Sequence, residues 1–319
     1  MITIKKYNKS YKKQWNSFVA NAINSSFLFQ RDFMDYHQDR FEDYSLLAFK
    51  GEKLLAVLPA NKVEKIVYSH QGLSYGGLLI NTLYLQDYFE ILTTIIQYLN
   101  DNKIEHLQLN PIPHIYHKSL SEEIDYAAFL LKAIRNRSDA YFVVNPKNYN
   151  INRNRKRALK VAIANELVFI ESLDYAKFWG ILSSNLQNRF TTKPTHSLSE
   201  ISLLARRFPE NIKLFEVRKE LKVLAGAVVF LVNDVAHIQY SSADETREET
   251  GSMDFLFNEI LSYYHDKKWV SFGISGEEQG RFLNKGLVYW KQSFGASVTV
   301  QNFYEIPTAN YKLLKDVFR

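Results

Sequence analysis

The chain has 319 residues, 46% of them hydrophobic and 23% charged, with a formal net charge of +6 and no cysteine. This is room for about two domains with sizeable cores, and the missing thiol excludes disulfides, thiolate metal sites and cysteine nucleophiles. The opening Met1-Ile-Thr-Ile-Lys-Lys-Tyr7 lacks an apolar signal core and no apolar run approaches the ~18 residues of a membrane span, so a soluble cytoplasmic protein is expected, whose basic excess suits an anionic ligand or is simply a basic surface.

In chain order, a strand is expected at 2–7, a helix at 12–22 and a second at 31–40, with Ser25 or Ser26 as possible caps. Apolar runs at 45–49 and 54–59, divided by Lys50-Gly51-Glu52-Lys53, read as a hairpin. A strand at 64–70 leads into a glycine-bearing loop. Tyr88, Leu92, Ile95, Ile96 and Leu99 recur at helical spacing, and a strand at 104–109 ends before Pro111 and Pro113. Residues 146–166 read as an asparagine-rich linker entering a basic helix, which places a domain boundary near 150, giving domains 1–150 and 151–319.

The second half runs through the same order. Helices are expected at 175–185 and 198–207, the latter opened by the capping box Ser197-Leu-Ser-Glu200. A hairpin joins 212–217 to 223–231, a strand covers 237–241, a helix 253–264 and a strand 269–274. Gln97-Tyr98, Asp101 and Lys103-Ile104 fall opposite Ser262-Tyr263, Asp266 and Lys268-Trp269. The order of elements carries this repeat more than the few identities do. The fold class expected is α/β (α+β).

Three segments stand out chemically. In Ser241–Met253, Arg247, Gly251 and Ser252 lie where a helix begins. Its unpaired amides and positive dipole end suit a pyrophosphate, and glycine lets a ligand approach closely; an ordinary N-cap at Thr250 or Ser252 is the alternative. Ser69–Leu78 holds His70, Gln71 and Tyr75 among three glycines and reads as an acceptor pocket lined by main chain, or as a turn with Tyr75 packed beside it. Gly273–Gly280 leads into Asn284-Lys-Gly-Leu-Val-Tyr-Trp-Lys-Gln-Ser-Phe-Gly295. The run Arg153, Arg155, Lys156, Arg157 and Lys160 is either a solvated linker helix or a contact for diphosphate or RNA phosphates. Gly-x-Ser-x-Gly is absent, which removes support for a hydrolase triad, and the eight histidines show no His-x-x-x-His metal pair.

Asn284-Lys-Gly-Leu…Lys291-Gln-Ser-Phe-Gly295, with Lys193-Pro-Thr-His-Ser197 upstream, resembles the FemAB-like acyltransferases, tandem members of the GNAT superfamily, over nearly the whole chain. The resemblance implies two GNAT-like domains, each a mixed twisted sheet flanked by helices, with an acyl donor entering between two parted strands of the second. It implies donor contacts at Arg247, Gly251, Ser252, Asn284 and Lys291, and acceptor contacts at His70, Gln71, Tyr75, Arg157 and Lys193. Candidate acid–base groups are His196, Tyr240 and Tyr289. Some relatives use aminoacyl-tRNA on cell-wall precursors. Others, of the FdhC type, acylate a nucleotide-linked (dTDP or UDP) amino sugar for surface polysaccharide from acyl-CoA. The chain lacks the long coiled-coil arm of some tRNA users, so the expectation leans to the sugar-acylating kind, with acyl-CoA as co-substrate and no metal. The alternatives are a FemX-like aminoacyl-tRNA-dependent transferase and a non-catalytic anion-binding protein.

Overall fold

The β-branched and aromatic runs of the second half form long antiparallel strands, Ile212–Lys219, Lys222–Val232 and Val235–Ala243. Their period-two alternation sorts the side chains between two faces. Ala225, Ala227, Val229, Ala236 and Ile238 turn to the helix Ser252–Tyr263, which buries Leu256, Phe257, Ile260 and Leu261 against them. Gly226, on the other face, lies under Phe178 of helix Tyr175–Phe190; an added Cβ would stand 2.5 Å from that ring. Glycine is needed there for the helix to sit this close to the sheet.

In this computed structural model, which describes residues 1–81 and 84–318, two units are resolved: Met1–Asp139 with Glu278–Arg281 and Val300–Arg319, and Ala140–Glu277 with Phe282–Thr299. The division falls at 139/140 where the sequence suggested a boundary near 150, and the last segment of the chain returns to the first unit.

The units repeat one another in strand pairing. In the second, Val168–Ser172 pairs antiparallel with Ile212–Lys219, and the hairpin follows. Val235–Ala243 then lies parallel to Trp269–Ile274, which is antiparallel to the end of Ile134–Val144. In the first, Ile2–Lys6, Leu46–Lys50 and Lys53–Leu58 are antiparallel neighbours. Ile66–Tyr68 lies parallel to His106–Leu109, which is antiparallel to the end of Ser297–Pro307. Each parallel pair is bridged by a helix, Leu85–Asp101 in the first unit and Ser252–Tyr263 in the second, as a crossover requires.

Several stretches depart from the sequence reading. Residues 31–40 form only one helical turn, Arg31–Met34, before tighter turns over Asp35–Arg40, because His37 (φ −127°) leaves the helix. Its ring bonds Met34 O at 2.6 Å and Gly72 O at 3.1 Å. The run 64–70 is instead the second strand of a hairpin, Asn61–Val63 with Ile66–Tyr68, turned at Glu64 (φ 52°). The helix at 88–99 extends to Leu85–Asp101. Helix Glu123–Leu130 and strands Ile134–Val144, Val168–Ser172 and Ser297–Pro307 were not anticipated. No helix among the described residues is long and apolar enough to cross a membrane.

Candidate active site

Val235–Ala243 and Trp269–Ile274 pair through only three positions, Val235 with Trp269, Ala236 with Val270 and His237 with Ser271. Beyond these they part. On the far side of the first strand, Val228 of Lys222–Val232 faces Tyr240 and Val229 faces Ile238, so Gln239 is a bulge in that ladder; a bulge bends its strand. On the second strand Gly273 takes φ +69°, and pairing resumes only at Ile274, with Tyr141. A parallel pair that stops pairing leaves amides and carbonyls that need partners.

Lys291 supplies part of that need. Its Nζ donates to Gly273 O at 3.0 Å and Ile274 O at 2.6 Å, and it lies 5.4 Å from the centroid of the Phe142 ring. The side chain is 4% exposed, and burial brings its pKa down to about 7. Helix Lys285–Gln292 holds it in place. Asn284 caps that helix, accepting from Leu287 N at 3.0 Å and donating to Glu277 Oε1 at 3.0 Å. Trp290 and Phe294 lock the helix against Phe257 and Phe272. An ammonium carries three donors, so two carbonyls leave one for a ligand. His237 stands beside Lys291, its Nδ1 3.1 Å from Ser271 Oγ, and burial, then the Lys291 charge, lowers its pKa to about 4. The imidazole is neutral. Ser275 Oγ, at the end of the parted strand, is buried without a hydrogen-bond partner.

His196 and Tyr240 come together as well. Nδ1 of the histidine and the phenol oxygen lie 2.6 Å apart, and Trp179 packs edge-on to Tyr240 at 5.2 Å between centroids. Burial raises the Tyr240 pKa, so the phenol keeps its proton. His196 is only 6% exposed.

The helix start at Gly251 is arranged differently from the expected cradle. Gly251 ends the turn Arg247–Thr250 with φ +69° and N-caps Ser252–Tyr263. An added Cβ would lie 2.4 Å from Ala158 O of the basic helix Arg153–Ala164. The glycine therefore serves helix packing rather than ligand approach. The amide of Gly251 already bonds Arg247 O at 3.0 Å, and Ser252 is fully buried. Asp254, in the first turn, places a carboxylate at the positive end of the helix, where Arg155 pairs with it and Trp290 Nε1 donates to it at 2.9 Å. An anion thus occupies the dipole's positive end, and the residues present do not fit a diphosphate there.

The other expected site residues are dispersed. Tyr289 is 55% exposed, with Asn152 and Asn154 Nδ2 at 3.5 and 3.4 Å from its hydroxyl, and does not join His196 and Tyr240. Arg247 is partly exposed beside Glu248, and Asn284 acts as a helix cap. Arg157 and Lys193 are exposed. In the first unit, His70 is buried with its pKa pushed down to about 3, chiefly by burial and then by His37. Gln71 is tied to Asn61 through two hydrogen bonds of 2.8 Å. Tyr75 is buried against Phe29 and Tyr116, its hydroxyl 3.3 Å from Ser26 Oγ. These three hold the glycine-rich turn in shape.

His237 and Asp254 were missed, and Arg155, read with the basic run as a solvated or phosphate-binding residue, instead pairs inward with Asp254. His237 interrupts the apolar run Val235-Ala-His-Ile238, and a polar residue at that point was the available signal. Asp254 is an acid in a first helical turn, ordinarily read as dipole complement. Among the described residues no His, Asp or Glu cluster is arranged to hold a metal ion.

Neither a scan against protein-family models nor a search of curated proteins finds a match. Solved structures do match. FemX shares 10% identity at a TM-score of 0.70, with 98% of this chain and 99% of that one covered. The fold is that of the tandem GNAT proteins. A tandem GNAT protein from the clavulanic acid biosynthesis pathway matches at 8% identity and TM-score 0.51, over 97% of this chain and 99% of that one. The L-PGS of Bacillus licheniformis matches at 9% and 0.58, over 97% and 96%. At such identities the likeness carries the tandem GNAT architecture alone.

Proposed function

We propose that this chain is an N-acyltransferase of the FemX kind, which passes an aminoacyl group from an aminoacyl-tRNA ester to an amine acceptor. The observation that carries the reading is the buried Lys291 ammonium set at the carbonyls of a strand that has parted from its neighbour. Acyl transfer needs a donor group where the carbonyl oxygen gains charge, and the third Nζ proton offers such a donor. The acceptor nitrogen bonds to the ester carbon, the bond from that carbon to the ribose oxygen breaks, and the proton lost by the amine ends on that oxygen. A lysine with a pKa near 7 is suited to relay that proton. His196 is buried and bonded to Tyr240, and its role is to position that tyrosine.

An aminoacyl ester is favoured over a coenzyme A thioester because the Gly251 helix start, where a diphosphate was expected, is filled by Asp254 and the basic helix. The FemX match, over nearly all of both chains, supports the same choice. The test is label transfer from radiolabelled aminoacyl-tRNA to amine acceptors, among them peptidoglycan precursors, with RNase and Lys291→Met controls. RNase-sensitive transfer that fails in Lys291→Met is the expected result. Thiol release from acyl-CoA with dTDP- or UDP-linked amino sugars, and none of the former, would replace this reading with sugar N-acylation.

A further inference from the structure

The basic helix Arg153–Ala164 contains five cations and no acid. One of the five is engaged within the fold, since Arg155 turns inward and pairs with Asp254. With the contact at Gly251, this pair fixes the face on which the helix lies. The other four, Arg153, Lys156, Arg157 and Lys160, are exposed, and none has an ion-pair partner among the described residues. At 1.5 Å per residue they spread over about two turns, a strip of positive charge on one side of the helix.

That strip is continuous with the helix of Lys291. Asn152, which caps the basic helix, and Asn154 in its first turn both reach the hydroxyl of Tyr289, whose ring is 55% exposed. Tyr289 stands on the solvent side of Lys285–Gln292, whose opposite side carries the buried Lys291. A row of cations leading to an exposed aromatic ring is the arrangement that binds an unpaired polynucleotide, with phosphates on the cations and a base on the ring. A bilayer is the poorer fit. A membrane-bound helix presents an apolar face beside its cations, whereas here Ala162 is buried and Ile163, at the far end, is the one large apolar side chain of the helix that is exposed.

We infer that Arg153, Lys156, Arg157 and Lys160 carry the phosphates of the unpaired 3′ end of an RNA, and that Tyr289 stacks on one of its bases. The inference rests on the proposed aminoacyl-RNA donor and names where that donor lies.

The experiment measures binding rather than turnover, so that its failure is separate from failure of the reaction. A fluorescein-labelled RNA hairpin ending in an unpaired CCA tail is titrated with the full chain across a salt series. Lys156→Gln/Arg157→Gln/Lys160→Gln should weaken binding at least about tenfold near 0.1 M salt and flatten log K against log salt by roughly 0.7 per cation removed. Tyr289→Ala should weaken binding and Tyr289→Phe restore it, a rescue that a merely structural hydroxyl would not give. An unchanged salt slope in the triple variant, or equal loss in both tyrosine variants, overturns the inference. So does variant-dependent binding to anionic phosphatidylglycerol vesicles with none to the RNA. Intact RNA binding without aminoacyl transfer would keep the surface and refute the reaction.

Discussion

Lys291 combines two demands that oppose each other. Its ammonium is held by two carbonyls at the parted strands, yet burial disfavours that charge and brings the pKa from 10.5 to about 7. Between about pH 7 and 10.5 the unfolded chain therefore holds a proton that the folded chain does not, and stability rises with pH across that window. Below about 7 the folded chain carries the full cost of the buried charge. Lys291→Met should accordingly be more stable than the wild type at pH 6, by about 1–2 kcal/mol, with the advantage shrinking by pH 9, while label transfer is lost. Thermal melts at the two pH values check this, and a variant destabilised equally at both would contradict it. Tyr240→Phe tests the neighbouring pair. It removes the 2.6 Å hydrogen bond between the phenol and His196 Nδ1, costing about 0.5–1.5 kcal/mol in urea unfolding. Transfer should fall less than about tenfold, where loss of a true base would remove a factor of about a hundred or more. The Lys291-Gln-Ser-Phe-Gly295 motif singled out Lys291 in the sequence, as a donor contact implied by the resemblance. Its burial was not legible there, because that follows from strands parting at Gln239 and Gly273, and nothing in the local pattern of either residue announces it.

Among the elements, those specified by near neighbours were the ones read well. Helix Leu198–Arg207 begins where Ser197 and Glu200 place it, both halves of the capping box being formed, and Ser197→Ala should cost it about 1 kcal/mol. The helix expected at 31–40 failed because the ring of His37 is drawn to Gly72, a partner 35 positions away. Gly251 is the instructive intermediate. The sequence marks it correctly as a helix start, but the same glycine suits a phosphate or a second helix, and only the position of Ala158 decides. Gly251→Ala places a methyl group 2.4 Å from a main-chain oxygen at φ +69°, and neither the helix carbonyl nor the φ angle adjusts cheaply. The variant should lose about 2–4 kcal/mol in chemical unfolding. A ligand cradle free of that contact would cost only the strain of the positive φ, about 1 kcal/mol, and would weaken donor binding, so the size of the loss separates the two roles.

At the scale of the whole chain, the repeat was visible in the order of elements, but the strands that complete each unit were not. Ser297–Pro307 intersperses Gln301, Asn302 and Glu305 among its apolar residues, and its contact with His106–Leu109 joins Gln108 to Glu305 across 197 positions. A signal that distant leaves no trace in a local window. The consequence bears on any division of the chain at 150. Ile306 and Leu314 belong to the core built around helix Leu85–Asp101. Thr308 Oγ1 donates to Ile104 O at 2.5 Å, and Tyr304 bonds Asp125. A fragment of residues 1–150 would therefore present an unpaired edge at His106–Leu109 and an open apolar face on the helix, a pairing-prone combination. It should show helical circular dichroism without a cooperative thermal transition, and associate at micromolar concentration. Residues 1–139 joined by a flexible linker to 300–318 restore the strand, the turn over Thr308–Leu314 and the core contacts, and should regain a single cooperative melt. If residues 1–150 alone melt cooperatively as a monomer, the returning strand is dispensable and the first unit is complete without it.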